Sequence, residues 1–394
     1  MKRLFYLLLL LQFYNFSFAQ NKGAINDNKA FLSYIQQNNK TPVEYVKDKL
    51  KNYSALLIGE DHWSKDQMIF MVDLIAELKS DPKVQFDVLA FESGNSSDQK
   101  LADEFINSPV YREDLLIKIL QNAADTYGWP YLEAVNILKA VWENNQKYTP
   151  DNKTKILLLD PPYVLSYLDG DSFTYTISRD QSQAQLIQKE IINGKKIIFY
   201  GGLAHTKSQI RGIYTKDKKM FNNYFSAGRI LKMLYPSLVF TVELWGPLMG
   251  RNGYINSSDD FTWKPLYDGS VDVAFSKNQN KPIGFDIANS PLAEIEVGAF
   301  YHYTSTSEYD PKTGNPYNPK EKLENQIDGI IFFKPIKEYT GSSVYEKFFD
   351  EEFLKRIEKR TKGEVKTRKQ LYKLIKEEHP ILSESLDSLI LKEQ

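Results

Sequence analysis

The sequence predicts an α/β protein: a mostly parallel β-sheet flanked by helices, a site at the carboxyl ends of the strands, and a C-terminal helical tail. Three observations carry that expectation. Short runs rich in Val, Ile, Leu and Phe are separated by helix-length segments, the runs are continuous rather than alternating, and several end abruptly on ionisable residues. Continuous apolar strands are expected where helices cover both faces of a parallel sheet. Strand–helix alternation is the pattern of an α/β architecture.

Taken in order, the strand candidates are Ala55–Ile58, Val84–Phe91, Lys155–Leu159, Lys196–Tyr200 and Leu238–Leu244, with Ile283–Ile287 and Gly329–Phe333 as additional strands. Between them Met68, Val72, Ile75 and Leu78 recur at helical spacing, as do Ala134, Ile137 and Val141. Asp180 to Ile192 reads as a helix that stops at Asn193-Gly194, a pair suited to a helix C-terminus. Tyr301 to Lys322 is rich in Tyr, Thr, Asn, Pro and Gly and reads as a long surface loop. Beyond Tyr339 the composition shifts to Lys and Glu, while Phe349, Phe353 and Ile357, then Leu371, Leu374 and Ile375, keep a helical apolar stripe. Residues 340–394 are therefore expected to dock as amphipathic helices, on the main domain (residues 20–339) or across a homodimer, with the first favoured.

At 394 residues, 42% hydrophobic and 13% aromatic, the chain can bury a sizeable core. Its formal net charge of −1 offers no basic surface for nucleic acid or anionic lipid. The absence of cysteine excludes disulfides, thiolate nucleophiles and iron–sulfur ligation, so packing must supply the stability. At the N-terminus, Met1-Lys2-Arg3 is followed by an apolar stretch to Phe16 and by small residues at Ser17 and Ala19. That is the pattern of a signal peptide (residues 1–19) cleaved between Ala19 and Gln20, with an apolar run shorter than the roughly 20 residues of a bilayer span. Export to the periplasm or beyond, without a stable membrane anchor, is the expectation.

Ligands of open parallel sheets bind outside the carboxyl ends of the strands, and that rule selects a set of residues. The first strand runs into Glu60, Asp61 and His62 ("LLIGEDHW"), the second into Glu92 ("LAFES"), and the third into Asp160 ("LLLDPP"). The fourth leads through Gly201-Gly202 to His205 ("IIFYGGLAH"). An acidic residue after a strand is commonly a helix N-cap, a reading that competes for Asp61 and Asp160. Glu92 has better caps after it in Ser96, Ser97 and Asp98. Of the 4 histidines, two share the pattern Gly-x-x-His, at Gly59–His62 and Gly202–His205. Glycine lets the backbone turn sharply at a strand end, so the imidazole can face the crevice.

This constellation resembles the superfamily of erythromycin esterases, ChaN-like haem-binding proteins and Tiki metalloproteases. "GE-x-H" is similar to the first esterase motif, and "LAFES" to the strand that follows it. "YGWPYLEAVNILKAVWENNQ" before "ILLLD" resembles a Trp-containing helix leading to a strand that ends in Asp. "SRDQSQAQLI" resembles an Arg-initiated helix, and "GGLAH" the second histidine motif. The resemblance spans Ser54 to Leu244, with echoes at "PIGFDIANSP" and "IDGIIFFKP". It implies functional roles for Glu60, His62, Glu92, Arg179 and His205. One departure stands out: esterases carry a His-Asn pair just before the second histidine, where this chain has Tyr200-Gly201-Gly202. Macrolide hydrolysis is therefore not carried over.

Nucleophilic serine chemistry fits poorly, because no Gly-x-Ser-x-Gly elbow is present. His-Glu-x-x-His, the P-loop and the dinucleotide fingerprint are also missing. Water activation remains. His62, or Glu60 behind it, is a candidate general base on a water attacking an ester or amide, since an imidazole near its ordinary pKa of about 6.5 titrates at working pH. Arg179 would orient a carboxylate or stabilise an oxyanion. His62, Glu92 and His205 would equally suit Zn²⁺ or Mn²⁺ with a position left for water. The alternative to a hydrolase of small molecules or peptides is a ChaN-like haem binder without turnover, for which Tyr301, His302 and Tyr303 are candidate ligands.

Overall fold

The computed structural model describes residues 28–393, apart from 39, 124, 126, 167–171, 176–177, 215–219, 247–265, 298–319 and 380–381. The expected signal peptide, the Tyr301-His302-Tyr303 cluster and most of the Tyr301–Lys322 stretch lie outside the described residues. The strands are β1 (Ala55–Glu60), β2 (Val88–Asn95), β3 (Lys155–Asp160), β4 (Tyr163–Ser166), β5 (Ser172–Tyr175), β6 (Ile197–Gly202), β7 (Ile210–Tyr214), β8 (Met220–Phe225), β9 (Val239–Leu244), β10 (Ile283–Asp286) and β11 (Gly329–Phe332). Among the described residues they make a seven-stranded sheet in the order β10-β11-β9-β1-β6-β2-β3 and two small hairpins, β4-β5 and β7-β8. All pairings in the large sheet are parallel except that of the edge strand β10 with β11.

Side-chain alternation explains why these strands read as unbroken apolar runs. Leu56 and Ile58 of β1, Leu89 and Phe91 of β2, and Ile198 and Tyr200 of β6 enter one core layer. Ala55 and Leu57, Val88 and Ala90, and Ile197 and Phe199 enter the opposite layer, under helices Arg179–Ile192 and Ala227–Leu234. The helix from Arg179 ends at Asn193, and Gly194 has φ +72°, as its sequence pattern predicts. The expected strand Val84–Phe91 starts later and runs to Asn95, with an irregular register between Phe91 and Asn95. Glu92 therefore lies within the strand rather than beyond it.

The chain moves outward from β1 to β2 and β3, returns to insert β6 between β1 and β2, and then crosses to β9 on the other side of β1. This reversal opens a crevice at the carboxyl ends of the central strands, where such sheets take ligands. The tail helices Glu351–Arg360, Arg368–Glu378 and Ser383–Lys392 pack on this chain's own domain. Phe353, Ile357, Leu371, Ile375 and Leu386 join the same core layer as Leu56 and Ile58. Asp350 accepts from Phe353 N at 2.7 Å, and Thr367 and Gln370 form a capping box, so two of these helices start on side-chain caps. Among the described residues no helix is long and apolar enough to cross a membrane.

Candidate functional site

Of the strand-end residues singled out from the sequence, Glu60, His62, Asp160 and His205 gather around Glu92, directly or through one further side chain, and Asp61 does not. Glu92 is 3% exposed, and its Oε1 accepts from Arg179 Nη2 at 2.8 Å. His205 Nε2 lies 3.4 Å from the same oxygen and His62 Nε2 lies 4.0 Å from it. The other oxygen, Oε2, accepts from Gly202 N at 2.5 Å. Both imidazoles thus turn their Nε2 atoms toward Glu92.

Their Nδ1 atoms are held by separate carboxylates. His62 Nδ1 is 2.6 Å from Glu60 Oε1, and the buried Tyr200 hydroxyl donates to Glu60 Oε2 at 3.4 Å. His205 Nδ1 is 2.9 Å from Asp180 Oδ1, which also accepts from Ala227 N at 2.8 Å. A carboxylate behind each ring fixes its orientation and leaves Nε2 for chemistry. Asp160 is not an N-cap. It accepts from Arg179 Nε at 3.0 Å and Nη2 at 2.9 Å, and from Gln183 Nε2 at 3.1 Å. Asp61 is not a cap either, since Ser64 takes that position before helix Lys65–Ser80, and its backbone N–H donates to Gln67 Oε1 at 2.7 Å.

The electrostatics revise the role expected for His62. Burial alone would lower its pKa, but the charge and hydrogen bond of Glu60, then the charge of Glu92, outweigh burial and the repulsion of Arg179, and raise it to about 9. At neutral pH His62 is therefore an imidazolium, suited to donate a proton rather than take one. Glu92 is held well below the usual carboxylate range: burial opposes its charge, and His205, Arg179, His62 and the Gly202 N–H override burial. Asp160, by contrast, is raised by burial despite Arg179.

The raised His62 pKa makes stability depend on pH with a definite sign. Between about 6.5 and about 9 the folded protein keeps a proton that the unfolded chain releases. The stabilisation is complete below the unfolded value and is lost as pH rises through the folded one. A shift of this size corresponds to at most about 3 kcal/mol, reduced by screening because 30% of the side chain is exposed. Denaturant melts of the protein should lose stability across that alkaline window, and melts of a His62→Gln variant should not.

Gly202 shows why glycine stands at the second motif. A Cβ there would meet His62 Cε1 at 2.7 Å and Nε2 at 2.9 Å. Gly202→Ala should push the imidazole off Glu60 and Glu92, which a shift of the His62 ring signals and a fall of its pKa toward the ordinary value would report. The melting temperature at neutral pH should fall as well, because the variant loses the pairing of His62 with Glu60 and Glu92 that stabilises the fold below about pH 9.

The metal expectation does not fit these residues. Glu92 Oε1 is held at 2.8 Å by Arg179, a fixed positive charge that opposes a cation on the same oxygen. Among the described residues no group of His, Asp and Glu is arranged to hold a metal ion. Sequence reasoning missed Asp180, Tyr200, Gln183 and the aromatic residues Trp63 and Trp129. The two indoles approach the His62 ring at centroid distances of 5.7 and 5.1 Å. A small pocket lies between Glu60, Glu92, Tyr200, Met68, Phe91 and Trp129.

Fold and site together define an α/β protein with two histidine–carboxylate pairs facing one buried glutamate at the carboxyl ends of a parallel sheet. No family model matches the chain, and no curated protein matches it. Solved structures share its fold at low identity. A succinoglycan biosynthesis protein superposes with a TM-score of 0.53 at 12% identity, over 82% of this chain and 98% of that one. A Bacillus cereus protein superposes with a TM-score of 0.50 at 11% identity, over 81% and 99%. A structure of cofacial haem binding to ChaN of Campylobacter jejuni aligns more loosely, with a TM-score of 0.34 at 15% identity, over 51% and 84%.

Proposed function

We propose that this protein is an exported hydrolase of an ester or amide, in which His62 and His205 act as acid and base on either side of one scissile bond. The observation that carries this reading is the convergence of both Nε2 atoms on Glu92 while both Nδ1 atoms are held by carboxylates. His205, oriented by Asp180, takes a proton from water through Nε2 as the oxygen bonds to the acyl carbon. His62, charged through Glu60, gives its Nε2 proton to the leaving group as the bond to that group breaks. Glu92, fixed by Arg179 and Gly202, offsets the imidazolium charge and keeps both rings turned inward.

The test is a broad ester and amide screen on the purified mature protein, run beside elemental analysis. Turnover by metal-free protein supports the reading; turnover that requires a stoichiometric metal overturns it. The sequence resemblance to ChaN-like proteins supports haem binding as the alternative. Adding haem to the same preparation separates the two, since a binder develops a new visible absorption band and a hydrolase does not.

A further inference from the structure

The segment from Thr340 to Tyr345 lies across the two loops that surround His62. On one side Lys65 N donates to Thr340 O at 3.0 Å and Ser342 N to Trp63 O at 2.8 Å, with Ser64 and Gly341 paired antiparallel. On the other, Leu132 N donates to Ser343 O at 2.9 Å and Tyr345 N to Pro130 O at 2.7 Å, with Tyr131 and Val344 paired antiparallel. One extended segment therefore ties the loop after His62 to the loop after Trp129. Within this clasp Trp63 has φ +69°, a left-handed conformation that a bulky residue keeps only where its surroundings enforce it. A ring from the tail packs on its side chain. His379, at the end of helix Arg368–Glu378, lies against the Trp63 indole with ring centroids 4.2 Å apart and planes 35° apart. The Trp63 indole in turn stands edge-on to the His62 ring, at 63°.

We propose that His379 is a positioning residue for His62, acting through Trp63 inside a clasp closed by Thr340–Tyr345. The catalytic part of this statement rests on the hydrolase reading; the geometric part does not. The flat face of His379 keeps the indole from relaxing, and the indole sets the tilt at which His62 Nε2 faces Glu92. The ring's shape is what matters, so another flat ring should serve and a missing ring should not. The tail is thus part of the site's construction although it donates no group to the reaction.

The experiment compares His379→Ala with His379→Phe in protein labelled at histidine. With 4 histidines in the chain, the His62 ring signals are assignable by single substitutions. At fixed neutral pH, His379→Ala should shift and broaden the His62 ring signals and lower kcat about tenfold with KM unchanged, while still melting cooperatively. His379→Phe should restore both signals and kcat. If the alanine variant does not fold, His379→Leu, which fills the space without a flat ring, takes its place with the same expectation. Unchanged His62 signals in a folded alanine or leucine variant overturn the proposal. So does a phenylalanine variant as impaired as the alanine one, because that result points to the imidazole nitrogens. If the wild-type protein hydrolyses nothing, the hydrolase reading falls, and the His62 signals alone still decide whether His379 positions the ring.

Discussion

His62→Gln is expected to lower hydrolysis by about 10²–10⁴-fold, the usual contribution of a positioned acid or base, while the protein still folds. Glutamine is chosen over alanine for a physical reason. Glu60 is 4% exposed, and its carboxylate meets His62 Nδ1 at 2.6 Å and the Tyr200 hydroxyl at 3.4 Å. Alanine would leave that carboxylate poorly partnered and confuse lost chemistry with lost stability. A glutamine amide still donates a hydrogen bond but cannot carry a transferable proton. Steady-state kinetics and a melt on the same sample check both halves. Full activity in a folded His62→Gln protein would mean that the "GEDH" cluster is architecture.

Arg179→Met is expected to have the largest effect on stability, about 3 kcal/mol at neutral pH. Arg179 bridges Glu92 and Asp160, which are 3% and 4% exposed, and removing one partner of a buried pair typically costs about 3–5 kcal/mol. The lower end applies because 29% of the Arg179 side chain is exposed, and because Gly202 N and Gln183 Nε2 still serve the two carboxylates. The pH dependence carries a sign. Glu92 is depressed in the folded protein, so its pairing stabilises above the unfolded carboxylate pKa and is lost as pH falls. The difference between wild type and variant should therefore hold from neutral pH down to the ordinary carboxylate range and shrink as pH falls below it. A difference that is equal at both ends would show that Arg179 contributes packing rather than charge.

The sheet was legible because burial on both faces leaves a strong local mark, the unbroken runs that became β1, β3, β6 and β9. Glu60, His62, Glu92 and His205 were legible because topology sends every parallel strand end to the same edge. What escaped was non-local or ambiguous. Asp180 stands in the first turn of its helix, where an acidic residue is favoured by the helix dipole alone, so nothing in the sequence marked it as the partner of His205. Tyr200 read as one more strand residue, yet its hydroxyl lies beside Glu60. His379 is 317 positions from His62 in the numbering of the chain, and only the docking of the tail brings its ring to Trp63. The raised pKa of His62 also escaped, because it depends on neighbours that local sequence does not show. An imidazole at its ordinary value suggested a base, and the two flanking carboxylates keep the ring protonated at neutral pH.

The most direct test of the central claim is the pH dependence of kcat/KM for the first substrate found, since that profile reports the pKa values of the free enzyme's acid and base. The account predicts a falling alkaline limb near pH 9, as His62 loses the proton it must donate, and the loss of that limb in the residual activity of His62→Gln. A rate that keeps climbing through pH 9 would show the deprotonated ring to be the active form and would contradict the assignment of His62 as the acid.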